Sequence, residues 1–312
     1  MPKGRSPRKG SLQFWPRKRA QKFLPTTNWN KIKSSSKLKG FICYKAGMSS
    51  AYVADSTADS MTKGKKIIVP VTILEVPTMK ILSARFYKDN KVQTEILSPI
   101  LDKELKRKLK LSKTKHKLDS IKTEEYDDLR LLAYSVVKKT GIKKKPDVLE
   151  IGLEGSYEDK IAFVKENFSK EISMLDFFKK GELVDLRGLT KGKGFSGPVK
   201  RFGIQLKNQK SEKGRRRPGS IGPWHPARVI FRVPMAGQLG MFTRVVYNSK
   251  IIDLGKAEDK FKNIKNYGDI KTDYIVITGS VQGSAKRQLV LTKAIRPTKK
   301  QNKKEYELIK LR

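Results

Sequence analysis

The sequence predicts a mainly β fold that carries a helical insertion, a long basic loop and a basic N-terminal arm. Three observations lead there. Short runs rich in β-branched residues, such as residues 67–76 and 274–278, recur between turn-forming residues, the pattern of a barrel or sandwich. Residues 100–180 instead place apolar side chains at helical spacing. Between two strand-like runs, residues 187–232 hold thirteen Lys or Arg, eight Gly and four Pro against a single acid, Glu212. Such a segment cannot bury enough apolar surface to offset its ordering entropy. A long loop of this kind inside a compact domain is unusual and often functional.

Composition narrows the partner. The chain has 312 residues, formal net charge +40 and a pI near 10.2, a length of roughly two domains. The charge is segregated: residues 55–185 carry 27 basic and 22 acidic side chains, whereas the remainder carries 43 and 8. One part therefore reads as ordinary globular surface and the rest as contact surface for a polyanion. Duplex nucleic acid, with about one negative charge per 1.7 Å of axis, is the natural counterpart. No stretch approaches the ~20 apolar residues of a membrane span, and the first residues show no apolar h-region of a secretory signal. Cys43 is the only cysteine, and His116 and His225 are the only histidines. A disulfide framework and a cysteine-based zinc site are thereby excluded within one chain.

Taken in order, residues 1–54 contain no acid. Phe14, Trp15 and Phe23 are interleaved with Arg17, Lys18, Arg19 and Lys22, a mixture suited to phosphates and unstacked bases. We read an extended arm, ordered when bound. Residues 41–45 and 51–54 read as a strand pair around residues 47–50, and residues 67–76 as a strand in which Pro70 requires an edge or bulge. Residues 81–87 continue it. Residues 103–117 read as a basic helix or linker facing solvent. Thr123-Glu124-Glu125 opens a helix with Leu129, Leu132, Ala133, Val136 and Val137 as its stripe, closed by Lys138, Lys139 and Gly141. Ser156 with Asp159 forms a capping box before Ile161, Val164 and Phe168, and Ser173 opens a third short helix. Strands return at residues 182–189, 227–233, 243–247, 251–254, 274–278 and 288–291, and residues 299–312 form a basic tail.

Gly192-Lys193-Gly194-Phe195-Ser196-Gly197 matches a dinucleotide fingerprint, but Pro198 and Gly203 interrupt the helix that motif must open, and no suitable acid follows for the ribose. The glycines fit better as sites where backbone approaches phosphate, beside Lys191, Lys193, Lys200 and Arg201. No Walker pattern, catalytic triad or paired carboxylates emerge; no catalytic residue, cofactor or metal is expected. Arg215, Arg216 and Arg217 offer planar forks for phosphate. The Gly and Pro that follow shape a turn presenting Trp224 and His225 for stacking or insertion into an RNA crevice. The alternative is that Trp224 folds back as an apolar staple.

These residues carry a family resemblance. The run Val184-Asp-Leu-Arg-Gly-Leu-Thr-Lys-Gly-Lys-Gly-Phe-Ser-Gly197 with Lys200-Arg201, then Arg217-Pro-Gly-Ser-Ile-Gly222, then Trp224-His-Pro-Ala-Arg228, resembles the third universal protein of the large ribosomal subunit. So do Gly237-Gln-Leu-Gly240 with Arg244 and Asn248, the run 274–283 with Lys286-Arg287, and the opening run 7–20. The blocks occur in the right order over nearly the whole chain, and the short tail resembles archaeal members.

The resemblance implies a six-stranded translation-type β-barrel and a central loop running through ribosomal RNA towards the peptidyl-transferase centre. It implies early subunit assembly and influence on aminoacyl-tRNA accommodation, with Gly222, Trp224, His225 and Pro226 at the loop tip. Where eukaryotic members carry a modifiable histidine, this chain has Glu212, so that modification is not expected.

On this reading residues 1–40 form the arm, 41–100 the first barrel strands and 101–180 the helical insertion. Residues 181–190 return as a strand, 191–227 form the loop, 228–297 further barrel strands and 298–312 the tail. RNA contacts are expected from Arg5, Arg8, Lys9, Trp15, Arg17, Lys18, Arg19, Lys191, Lys193, Phe195, Lys200, Arg201, Arg215, Arg216, Arg217, Trp224, His225, Arg228, Arg244, Lys286 and Arg287. Partners are large-subunit ribosomal RNA and neighbouring ribosomal proteins, with no membrane and no small-molecule substrate. A free RNA-binding protein or RNA chaperone is the alternative; a nucleotide-dependent enzyme comes third.

Overall fold

The structure, a computed structural model, describes residues 9–34, 36–112, 126–210, 214–258 and 260–312. It divides into two compact units, residues 1–23 with 189–243, and residues 24–188 with 244–312.

The larger unit opens with β1 (Gly40–Asp55), β2 (Lys66–Val76), β3 (Met79–Lys88), β4 (Lys91–Leu97), β5 (Asp128–Ser135), β6 (Val148–Gly152), helix α1 (Tyr157–Asn167) and β7 (Leu183–Leu189). The smaller unit contributes β8 (Phe195–Ser196), α2 (Pro198–Phe202) and β9 (Gly237–Gln238). The chain then returns through β10 (Thr243–Lys256), β11 (Asp273–Thr278), β12 (Gln288–Lys293), α3 (Lys299–Asn302) and β13 (Tyr306–Leu311).

The main sheet runs β12-β7-β10-β11-β2-β1-β13, and β12 also pairs with β1. Six strands thus form a closed circuit of pairings, with β13 appended to β1. Antiparallel register sets Phe41 opposite Leu291 and Cys43 opposite Leu289; Tyr274 faces Glu75. The interior collects Phe41, Ile42, Leu74, Val184, Leu186, Ile275 and Leu291, all fully buried. All seven residues of β7 are buried, so its polar members need partners. Asp185 accepts hydrogen bonds from the Asn248 and Ile295 amides at 2.9 and 3.1 Å, and Arg187 donates to Thr292 Oγ1. Pro70 lies just beyond the last residue of β2 paired with β11, Val71, where a missing amide donor removes no ladder bond on that side.

A second antiparallel sheet, β4-β3-β5-β6, corrects the helical insertion expected at 101–180. Leu129, Leu131 and Ala133 are buried in alternation and face Phe86, Ala84 and Ile81 across β3. The same residues fit both periods, and cross-strand packing selects the strand. The expected opening at Thr123–Glu125 lies outside the described residues, as does His116. Of the predicted helices, α1 forms, with Ser156 and Asp159 closing a full capping box, whereas Ser173 caps only a 3-10 turn at Met174–Asp176. Another 3-10 turn, Lys103–Arg107, lies within the expected basic linker. Strands β3 and β4, read as part of the main sheet, belong to this second one.

Further boundaries differ. Residues 41–54 form one strand rather than a pair, with the register slipping between Lys45 and Gly47, because a bulge absorbs what glycine suggested as a turn. Residues 243–254 are likewise one strand, with Asn248 at φ +57°. The basic tail contributes β13, whose Tyr306, Leu308 and Leu311 pack on the core. Residues 24–39 belong to the larger unit rather than the arm. Trp29 is 3% exposed, and a Cβ on Gly152 would lie 2.6 Å from its own Cβ, so this tryptophan is part of the core. Finally, residues 228–242 remain in the loop unit: residues 227–232 are exposed, and residues 227–233 form no strand.

Candidate nucleic-acid interface

The smaller unit is built on a short ladder. Glycines let two chain segments approach: Ser196 pairs with Gly237 and Phe195 with Gln238, while Lys193 and Leu239 amides donate to Leu239 and Gly194 carbonyls, each at 2.9 Å. Gly240 is obligatory here. Its φ is +80°, and a Cβ would lie 1.9 Å from the Lys191 carbonyl oxygen, a backbone obstruction that no rotamer can relieve. Below it, the Thr190 amide donates to the Phe242 carbonyl at 3.0 Å, and the Phe242 amide to Thr190 Oγ1 at 3.2 Å.

Helix α2 starts with Pro198 at a position where a missing amide costs nothing and stops at Gly203, whose φ of +67° closes it. It presents Arg201 and Phe202 inward. Arg201 Nε donates to the Gln238 carbonyl and Nη1 to the Met235 carbonyl, both at 3.0 Å, bracing the opposite leg. The arm packs against the same turn. Arg17 Nη1 donates to the Arg201 carbonyl at 2.7 Å, and its guanidinium lies 4.3 Å from the Phe202 ring centre. Trp15 meets Phe202 at 6.0 Å and Phe231 edge-on at 5.7 Å. The Ala20 amide donates to the Met241 carbonyl at 3.0 Å. Trp15, Arg17 and Arg201, expected to face RNA, thus form a clamp within the chain. Phe202 and Phe231 were missed; an aromatic flanked by arginines was the available signal.

Above the clamp the loop is exposed. Lys18, Arg19, Lys191, Lys193, Phe195, Lys200, Arg215, Arg216, Arg217, Trp224, His225 and Arg228 all face solvent, while Lys9 is half-buried. Arg5, Arg8 and Glu212 lie outside the described residues. The three arginines sit on a turn in which the Lys207 amide donates to the Arg215 carbonyl and Arg215 Nε donates back to the Lys207 carbonyl, at 3.0 and 3.2 Å. Trp224 is 89% exposed, which rejects the staple alternative. Its ring meets His225 edge-on at 6.5 Å and helps line an open cleft of ≈ 340 Å³ with Ile221, Pro226 and Val229. Every residue from 221 to 232 is exposed, Ile221, Val229, Ile230 and Phe231 included.

Charge completes the picture. This unit holds 20 Lys or Arg and one acid. An apolar tip on so cationic a body needs a partner that covers apolar surface and supplies negative charge. The remaining expected residues, Arg244, Lys286 and Arg287, belong to the larger unit. Lys286 is exposed on a turn at φ +65°. Burial pulls the guanidinium pKa down at Arg201, Arg244 and Arg287, yet arginine stays charged. Among the described residues no helix is long and apolar enough to cross a membrane, and no group of three or more His, Cys, Asp or Glu could hold a metal ion.

Comparison with known proteins agrees with the cationic surface. Residues 1–312 match the family described as Ribosomal protein L3. The chain is similar to large ribosomal subunit protein uL3 of Methanocaldococcus jannaschii, 41% identical over 308 residues, spanning 93% of this chain and 92% of the relative. The corresponding protein of Methanococcus vannielii is 43% identical over 309 residues, with 93% and 92% covered. That of Methanobrevibacter smithii is 38% identical over 313 residues, with 94% and 93% covered.

Proposed function

Because the chain belongs to the ribosomal protein L3 family, a structural rather than enzymatic family of the large ribosomal subunit, we propose that it binds large-subunit ribosomal RNA through the arm-and-loop unit. Its loop braces RNA near the peptidyl-transferase centre and the aminoacyl-tRNA site, and its binding supports early subunit assembly. The closed six-strand circuit serves as a translation-type barrel that anchors both legs of the loop. The observation that carries this reading is the tip: twelve consecutive exposed residues, 221–232, with Trp224 89% exposed, in a unit of 20 cations and one acid.

The physical division of labour follows. Lysines and arginines neutralise phosphates and release counterions. Arg201, Arg17 and Gly240 fix the legs. Trp224 and the apolar residues beside it fill a crevice or stack on a base. The chemistry of peptide transfer belongs to RNA; the protein neutralises, positions and braces.

Neighbouring ribosomal proteins are the further partners, and the cytoplasmic ribosome is the site of action. The test is co-sedimentation of the full chain with large subunits after a high-salt wash. Retention at stoichiometric level is expected. Release with the salt wash would point to a free RNA-binding protein or chaperone instead.

A further inference from the structure

Resting on the reading above, we infer that the larger unit carries a second, independent contact for RNA backbone: the cleft between the Lys103–Arg107 turn and the β5–β6 connection. The cleft has a volume of ≈ 470 Å³ and is lined by Arg107, Lys108, Lys143, Lys144, Lys145 and Asp147. It lies in the stretch whose charge is nearly balanced, which composition alone assigns to ordinary globular surface.

Three observations carry the inference. First, several cations elsewhere around this sheet are paired: Lys80 with Asp102 at 3.1 Å, Arg85 with Glu95 at 3.0 Å, Arg130 with Asp128 at 3.1 Å and Lys160 with Asp128 at 2.6 Å. Arg107, Lys144 and Lys145 are exposed and make no ion pair among the described residues. Second, the one acid cannot balance the group. Asp147 Oδ2 accepts from Tyr44 Oη at 2.6 Å and from Lys143 Nζ, while Lys108 Nζ lies 3.9 Å from Oδ1. Among the described residues one carboxylate faces five cations, and their mutual repulsion favours an added anion.

Third, the cleft is held in shape before any ligand arrives. Its floor is a buried network in which Tyr44 Oη and Ser135 Oγ lie 2.8 Å apart and the Asp147 amide donates to Ser135 Oγ at 3.2 Å. Lys108 Nζ donates to the Pro146 carbonyl at 3.1 Å. A site fixed in this way loses less ordering entropy on binding. Burial depresses the Lys108 ammonium pKa, with Asp147 opposing the shift and Lys143 adding to it.

The chemistry selects the ligand. Among the described residues no aromatic side chain lines the cleft, and Tyr44 beneath it is fully buried, so the lining offers no ring for a base to stack on. Point cations and one fork fit phosphate oxygens, which position a helix without reading its sequence. The site therefore takes the phosphodiester backbone of a paired RNA segment, unlike the loop tip with its exposed indole.

The test uses the full chain with Arg107→Ala, Lys144→Ala and Lys145→Ala combined; all three are exposed and outside the Tyr44–Asp147 network. Binding to deproteinised large-subunit RNA is followed by filter retention across a KCl series. The log–log slope should flatten by about 2–3, from about 0.7–0.9 per lost contact, while Lys144→Arg with Lys145→Arg keeps the wild-type slope. An unchanged slope in the Ala variant, with Arg215–Arg217 substitutions still flattening it, overturns the cleft and leaves the loop reading intact. Absence of RNA binding by the wild type overturns both. In intact subunits, crosslinks from Lys144 or Lys145 that map to a neighbouring protein rather than RNA also overturn the cleft.

Discussion

At the scale of single residues, the loop separates into side chains that hold it and side chains that reach out. Trp224 is of the second kind. Trp224→Ala removes an exposed ring, so folding of the main sheet and incorporation into subunits should remain near wild type. Aminoacyl-tRNA binding should weaken by the loss of about 1–3 kcal/mol of stacking, with Trp224→Phe retaining part of it. A-site tRNA binding on subunits matched for protein stoichiometry checks this, and wild-type accommodation by the Ala variant would refute it. Gly240 is of the first kind. Gly240→Ala forces a Cβ onto the Lys191 carbonyl at positive φ and should loosen the base of the loop by about 1–3 kcal/mol. Limited proteolysis of the free chain should show faster cleavage between residues 191 and 242; an unchanged rate would count against the bracing role. Arg201 and Arg17 show why the sequence could not separate the two kinds. An arginine in a basic run looks like a phosphate fork, and only the fold shows its donors directed at carbonyls of the facing leg.

At the scale of elements, the six strands of the closed circuit were legible because β-branched residues and turn signals mark them, and α1 because Ser156 and Asp159 cap it. Strand β5 was not, because Leu129, Leu132 and Val136 match a helix as well as Leu129, Leu131 and Ala133 match a strand; the choice is made by β3 across the sheet. The strand β13 was hidden inside a run of lysines. Its apolar residues Tyr306, Leu308 and Leu311 pack on the core, so deleting residues 303–312 should lower the melting temperature by roughly 5–10 °C. A melting temperature equal to that of the full chain would show β13 to be an ornament of β1. On the proposed function, the Arg215–Arg217 turn should act as one unit on phosphate. Replacing all three with Ala should flatten the salt dependence of RNA binding by about 2–3 in log–log slope; reduced affinity at an unchanged slope would mean that the turn acts through folding instead.

At the scale of the whole molecule, charge and core are allotted to different units. The larger unit holds 29 of the 30 acids and nearly all the fully buried apolar residues, so it can fold on its own surface chemistry. The smaller unit holds 20 cations and one acid around Leu189, Phe202 and Phe242 as its buried apolar side chains among the described residues. This division was legible in the sequence as charge segregation, but its borders were not. Residues 24–39 and 228–242 change sides, because Trp29 packs on Gly152 while Val229 and Phe231 stay exposed, and neither fate is written in composition. The central claim is that RNA completes the smaller unit. Hydrogen exchange, measured on the free chain and on the same chain within large subunits, tests it most directly. In the free chain, amides of residues 204–235 should exchange rapidly while those of β1, β2, β7 and β11 stay protected; in subunits the loop amides should become protected as well. Strong protection of residues 204–235 in the free chain, or none gained in the subunit, would contradict the account.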